Sequence, residues 1–118
     1  MPFGELIAPW LRAFVFTQIV EAPVYRRVLD VSWGRALAPS AITHPFVWFA
    51  FPPLARALGF GWLGMAIMAE LFAWLVEALF LAKTRPRVAP GKALLVSLVA
   101  NATSVALGLT CRKLFGVP

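Results

Sequence analysis

Four continuously apolar runs dominate the chain and leave few folds open to it. They cover residues 6–25, 36–58, 60–82 and 93–110. Each is close to the roughly 20 residues that carry a helix across a bilayer. A transmembrane barrel needs short segments that alternate in polarity, and these runs do not alternate. Backbone groups in lipid are satisfied only within the segment or in a closed barrel, which leaves the helix. The expected fold is all-α, an integral membrane bundle of four transmembrane helices forming a single transmembrane domain over residues 1–118. Pro39, Pro45, Pro52 and Pro53 lie in the second run. Proline removes a backbone donor and kinks a helix, so this helix is expected to be bent, to begin late, or to re-enter.

Composition supports lipid as the solvent. The chain is 61% hydrophobic and 14% charged, where soluble domains are roughly 45–50% apolar and about 25% charged. Its net charge is +6. The basic residues sit between the apolar runs, so they are assigned to topology and anionic headgroups. Nucleic acid is not expected as a partner, because no nucleic-acid signature accompanies the charge. Arg26, Arg27, Arg35, Lys83, Arg85, Arg87 and Lys92 follow the first and third runs, against Arg12, Arg56, Arg112 and Lys113 on the other side. That balance of seven to four places both termini outside the cytoplasm of a bacterial inner membrane. Trp10, Trp33 and Trp62 fall near the run boundaries, as an aromatic belt would, whereas Trp48 and Trp74 lie deeper and are assigned to packing. No cleaved signal peptide is expected. The single Cys111 is assigned as a small apolar residue.

The polar residues inside the runs carry the functional information: Gln18, Glu21, His44, Glu70, Glu77 and Asn101. Ionisable groups at membrane depth are rare and face the bundle interior. Two central carboxylates in the third run cost roughly 5–7 kcal/mol, and its ten Leu, Ile, Phe and Val residues return roughly 3–6. The near-zero balance means that Glu70 and Glu77 need partners or protons. They lie seven residues apart on one helix face, about 10 Å along the axis, with Trp74 between them. Helix direction then groups the polar residues by depth. Glu21, His44 and Glu77 are expected in one layer, and Glu70 with Asn101 in another. Gln18 and Thr43 are expected to support them. Ser97, Asn101, Ser104 and Gly108 form a small, polar stripe on the fourth run, suited to close helix approach. The Asn101-Ala102-Thr103 glycosylation string lies within that run and is discarded. Arg12 is more than two turns from Glu21 and is expected to snorkel towards headgroups.

Carboxylates with a histidine can relay protons or hold a divalent metal, so His44, Glu70 and Glu77 are candidate metal ligands. Their spacing matches no zinc-protease string. The strings TQIVEAPVY, AITHPFVW, AELFAWLVEAL and SLVANATSVALG resemble a set of small uncharacterised bacterial four-helix integral membrane proteins. These share a Thr-x-Pro turn, glutamates seven apart and an Asn-x-x-Ser helix. The resemblance implies four helices and no particular activity. Small multidrug-resistance transporters do not fit, because Glu21 falls too late in its helix and two further carboxylates follow. Fluoride channels and intramembrane proteases with adjacent glutamates do not fit either.

The functional expectation is handling of a proton or cation through Glu21, His44, Glu70, Glu77 and Asn101, by a bundle acting as a homo-oligomer or beside a partner membrane subunit. The alternatives are a structural or assembly subunit of a larger membrane complex and, third, an intramembrane metalloenzyme.

Overall fold

A computed structural model describes residues 3–116. Among these the chain forms five α-helices and no strands: α1 Phe3–Leu29, α2 Trp33–Phe49, α3 Phe51–Ala57, α4 Trp62–Lys83 and α5 Pro90–Phe115.

Local chemistry sets the boundaries. α1 ends with Arg26 and Arg27 in its last turn, favourable at the negative end of the helix dipole. Asp30 then turns the chain at φ 52°, a conformation Asp tolerates better than most residues. Ser32 caps α2 by accepting from the Arg35 backbone N–H at 3.2 Å. Pro90 opens α5, where its missing N–H costs nothing, and Gly116 at φ 72° closes it.

The second apolar run departs from a single bent helix. It is divided at Ala50 into α2 and the seven-residue α3. Pro52 and Pro53 follow each other, so two successive ladder donors are missing and the helix restarts with prolines in its first turn, where no donor is needed. Pro39 and Pro45, each isolated, remain inside α2.

The four long helices form a ring in which α1 packs on α2 and α5, and α4 packs on the same two. Facing pairs α1/α4 and α2/α5 make no close backbone contact among the described residues. The helix ends carrying the α1–α2 and α4–α5 connections lie together and are called the loop end here. The opposite, terminal end carries the start of α1, the end of α5 and α3.

Two helices, α4 and α5, are long and apolar enough to cross a membrane. α1 has 27 residues but is interrupted by Arg12, Gln18 and Glu21, and α2 has 17. Polarity is distributed inside out. Glu21, Ser40, Thr43, Glu77, Ser97 and Asn101 are buried, while Ile7, Leu11, Val15 and Ile19 of α1 and Leu63, Ile67, Leu71, Leu75 and Leu79 of α4 form exposed stripes at four-residue spacing. Towards the loop end, Ala22, Tyr25, Ala36, Ala78, Leu81, Ala93, Val96 and Ala100 make a continuous packed cluster. Its alanines let the backbones approach closely.

Candidate functional site: a buried carboxyl pair beneath a cavity

Glu77 sits on the inner face of α4, 1% exposed. One donor reaches it from each of the other three long helices. The Tyr25 hydroxyl of α1 donates to Oε1 at 2.6 Å, the Thr43 hydroxyl of α2 to Oε2 at 2.8 Å, and the Asn101 amide of α5 to Oε1 at 3.2 Å. Glu21 of α1 is bound in the same manner. Ser40 of α2 donates to its Oε1 at 2.6 Å, and Ser104 of α5 donates to Oε2. The two carboxyls are neighbours, held by hydroxyls about one turn apart on α2, Ser40 and Thr43, and by side chains about one turn apart on α5, Asn101 and Ser104. All five donors are neutral. Among the described residues no lysine, arginine or histidine pairs with either carboxyl.

The remaining polar residues brace this pair. Asn101 also donates to the Ser97 carbonyl at 2.9 Å, and Ser97 donates to the Trp74 carbonyl at 2.9 Å. The Trp74 indole in turn donates to the Leu94 carbonyl at 2.8 Å. These last two contacts tie α4 to α5. Gln18 donates to the Leu37 carbonyl at 2.9 Å and ties α1 to α2.

The expected layers are rearranged. Asn101 joins Glu77 and not Glu70, because the donor face of α5 meets α4 at the level of Trp74 and Glu77. Glu70 lies about two turns nearer the terminal end, partly buried on the cavity wall. His44 is buried but turned into an aromatic box. Its Nε2 lies 3.4 Å from the Thr17 hydroxyl, and its ring packs at 5.4 Å from Phe14 and 6.4 Å from Trp48. Its Nδ1 is buried without a hydrogen-bond partner. Among the described residues no three His, Cys, Asp or Glu side chains converge as metal ligands. His44, Glu70 and Glu77 therefore do not form the common ligand set their residue types suggested, since His44 faces α1 while the glutamates face the bundle axis.

Three participants escape the sequence reading. Tyr25, the single tyrosine, stands at the end of an apolar run and resembles a boundary aromatic, although it lies four residues after Glu21 and so shares its face. Ser40 is one turn before His44 and small enough to pass as packing. Arg35, counted among the loop charges, donates to the carbonyls of Leu81, Thr84 and Pro86 at 3.3, 2.9 and 2.9 Å and to the Thr84 hydroxyl. It clasps the start of α2 to the end of α4.

Beyond the carboxyl pair, towards the terminal end, lies a cavity of about 1030 Å³. Glu21, Glu77, Asn101 and Ser104 stand at its inner limit, Glu70 on its wall, and Arg12, Trp62 and Arg112 nearer its outer end. The arrangement presents hydrogen-bonded carboxyls, held by neutral groups, to a space large enough for a guest. The chain matches no family model, no curated protein and no solved structure. The likeness to small bacterial four-helix membrane proteins therefore rests on the quoted strings alone.

Proposed function

We propose that the chain is a four-span integral protein of a bacterial inner membrane, with both termini outside the cytoplasm, that handles a proton or cation at the Glu21–Glu77 pair. The observation that carries this reading is the pair itself, two buried carboxyls with five neutral donors and no protein cation. Two uncompensated negative charges in a low-dielectric interior are costly. A proton or cation between them offsets that cost, and the cavity supplies a route to it. Glu70 is the intermediate station on that route. The exposed apolar stripes of α1 and α4 support a lipid setting for helices beyond the two that qualify by length and apolarity alone.

The test is flux of protons and monovalent cations into liposomes containing the purified chain. Glu21→Gln with Glu77→Gln is expected to abolish flux while insertion and folding persist, because the amide retains the shape of the carboxyl. Undiminished flux in that double variant overturns the reading.

One observation favours the second reading, a structural or assembly subunit. The bonds to Glu77 join all four long helices and so fix their register. In that case the double variant changes helix association or complex assembly and leaves no flux to lose.

A further inference from the structure

Taking the cation reading as its basis, we infer that the cation is organic: an amphipathic amine that enters from the bilayer between α4 and α5 and places its ammonium group on Glu21 and Glu77. Four observations lead there.

The first is size. A proton or bare metal ion needs almost none of a 1030 Å³ cavity, whereas sites for drug-sized molecules run to roughly 300–1,000 Å³.

The second is chemistry by depth. The inner limit offers carboxyl oxygens, which accept N–H bonds. The walls carry Phe16, Trp48 and Trp74, which take an apolar body and attract a cation through their ring faces. His44, 9% exposed, lines the same space.

The third is the seam. In the terminal half, Trp10 packs on Phe49 across α1/α2 at 5.5 Å. Phe72 packs on Phe46 and Phe51 where α4 meets α2 and α3, at 5.9 and 5.0 Å. The Phe16 ring lies against Gly108 across α1/α5, where an added Cβ would stand 3.6 Å away. Between α4 and α5 the hydrogen bonds lie at Trp74 and Glu77, and among the described residues none joins the two helices further towards the terminal end. There Ile67 and Leu109 line the cavity yet are 53% and 52% exposed. The exposed residues on this side are apolar, with Glu70 as the one ionisable group, among the described residues, that α4 brings to the cavity wall there.

The fourth is the outer end. Arg12 and Arg112 line the cavity there, and two guanidinium groups repel a cation approaching from water. Entry through the apolar seam avoids them.

The test uses the full chain in lipid nanodiscs, with 4-phenylbutylamine as probe, neutral 4-phenylbutanol as its isostere and empty nanodiscs to subtract partitioning. Binding is followed by tryptophan fluorescence and calorimetry. The amine is expected to bind saturably and the alcohol at least tenfold more weakly. Glu77→Gln is expected to weaken the amine roughly tenfold to a hundredfold, the range of one charge-assisted hydrogen bond. Ala102→Trp, at an exposed position lining the cavity, is expected to block the amine. Equal binding of amine and alcohol overturns the inference. So does Glu-dependent proton flux with no amine binding, and in that case the proton reading stands. Absence of both flux and amine binding overturns both.

Discussion

At the loop end, Tyr25 and Leu81 are fully buried among Ala36, Ala78 and Ala93. At the terminal end, Leu63 and Leu109 line the cavity and remain 66% and 52% exposed. The same four helices produce both ends, so the difference lies in the side chains at each level. Where alanine recurs on α2, α4 and α5, the backbones approach and one large side chain per gap fills the centre. In the open half small residues recur too, Ala66 and Ala73 of α4 and Ala102, Ala106 and Gly108 of α5, but they line the cavity, and aromatic pairs such as Trp10–Phe49 and Phe46–Phe72 make the contacts around it. The carboxyl pair sits at the transition, anchored to the closed half and facing the open one.

That contrast can be broken by substitution, with stability measured by titration into denaturing detergent. The largest effect is expected from Leu81→Ala, which empties a fully buried position and should cost about 2–5 kcal/mol, whereas Leu71→Ala in the open half should stay within about 0.5. Equal costs would mean that the cavity closes in the membrane. Next comes Ala93→Leu, expected to cost about 1–3 kcal/mol by overpacking the α4/α5 approach, against almost nothing for Ala102→Leu on the cavity side. A smaller loss, about 1–2 kcal/mol, is expected for Tyr25→Phe, which takes one of two donors from Glu77 Oε1. Thr17→Val should be nearly silent, since its contact with His44 is long. The smallest measurable change is expected for Ser97→Ala, about 0.6 kcal/mol, the usual worth of an interhelical hydrogen bond in a membrane. A value several times larger would make the α4/α5 tie at Trp74 the hinge of the open seam.

The helical class was legible because uninterrupted apolar runs of this length admit little else, and the polar residues that matter were legible because each stands alone in such a run. Glu21, Glu77, Thr43, Asn101 and Ser104 do assemble. Their pairing was not legible. Depth along the runs gives height in the bundle but not rotation about each helix axis, and rotation decides that Asn101 meets Glu77 while His44 turns to Thr17. The break at Ala50 could be anticipated only as a bend, because four prolines in one run do not say which of them will end the ladder. Only the adjacent pair, Pro52 and Pro53, removes two donors in succession. Tyr25 and Arg35 were hidden by position, since a run boundary is where an aromatic or an arginine ordinarily meets headgroups.

Because Glu77 takes one bond from each of the other long helices, it reports the mutual alignment of all of them. Tilting any one helix lengthens a bond to this carboxyl and changes how firmly it holds whatever neutralises it. On the proposed reading, guest affinity and bundle cohesion are two sides of one equilibrium, each raising the other by the same free energy. On the proposed four-span reading, a bilayer whose thickness strains the helices is expected to alter occupancy without touching the site, with lipid acting as an effector.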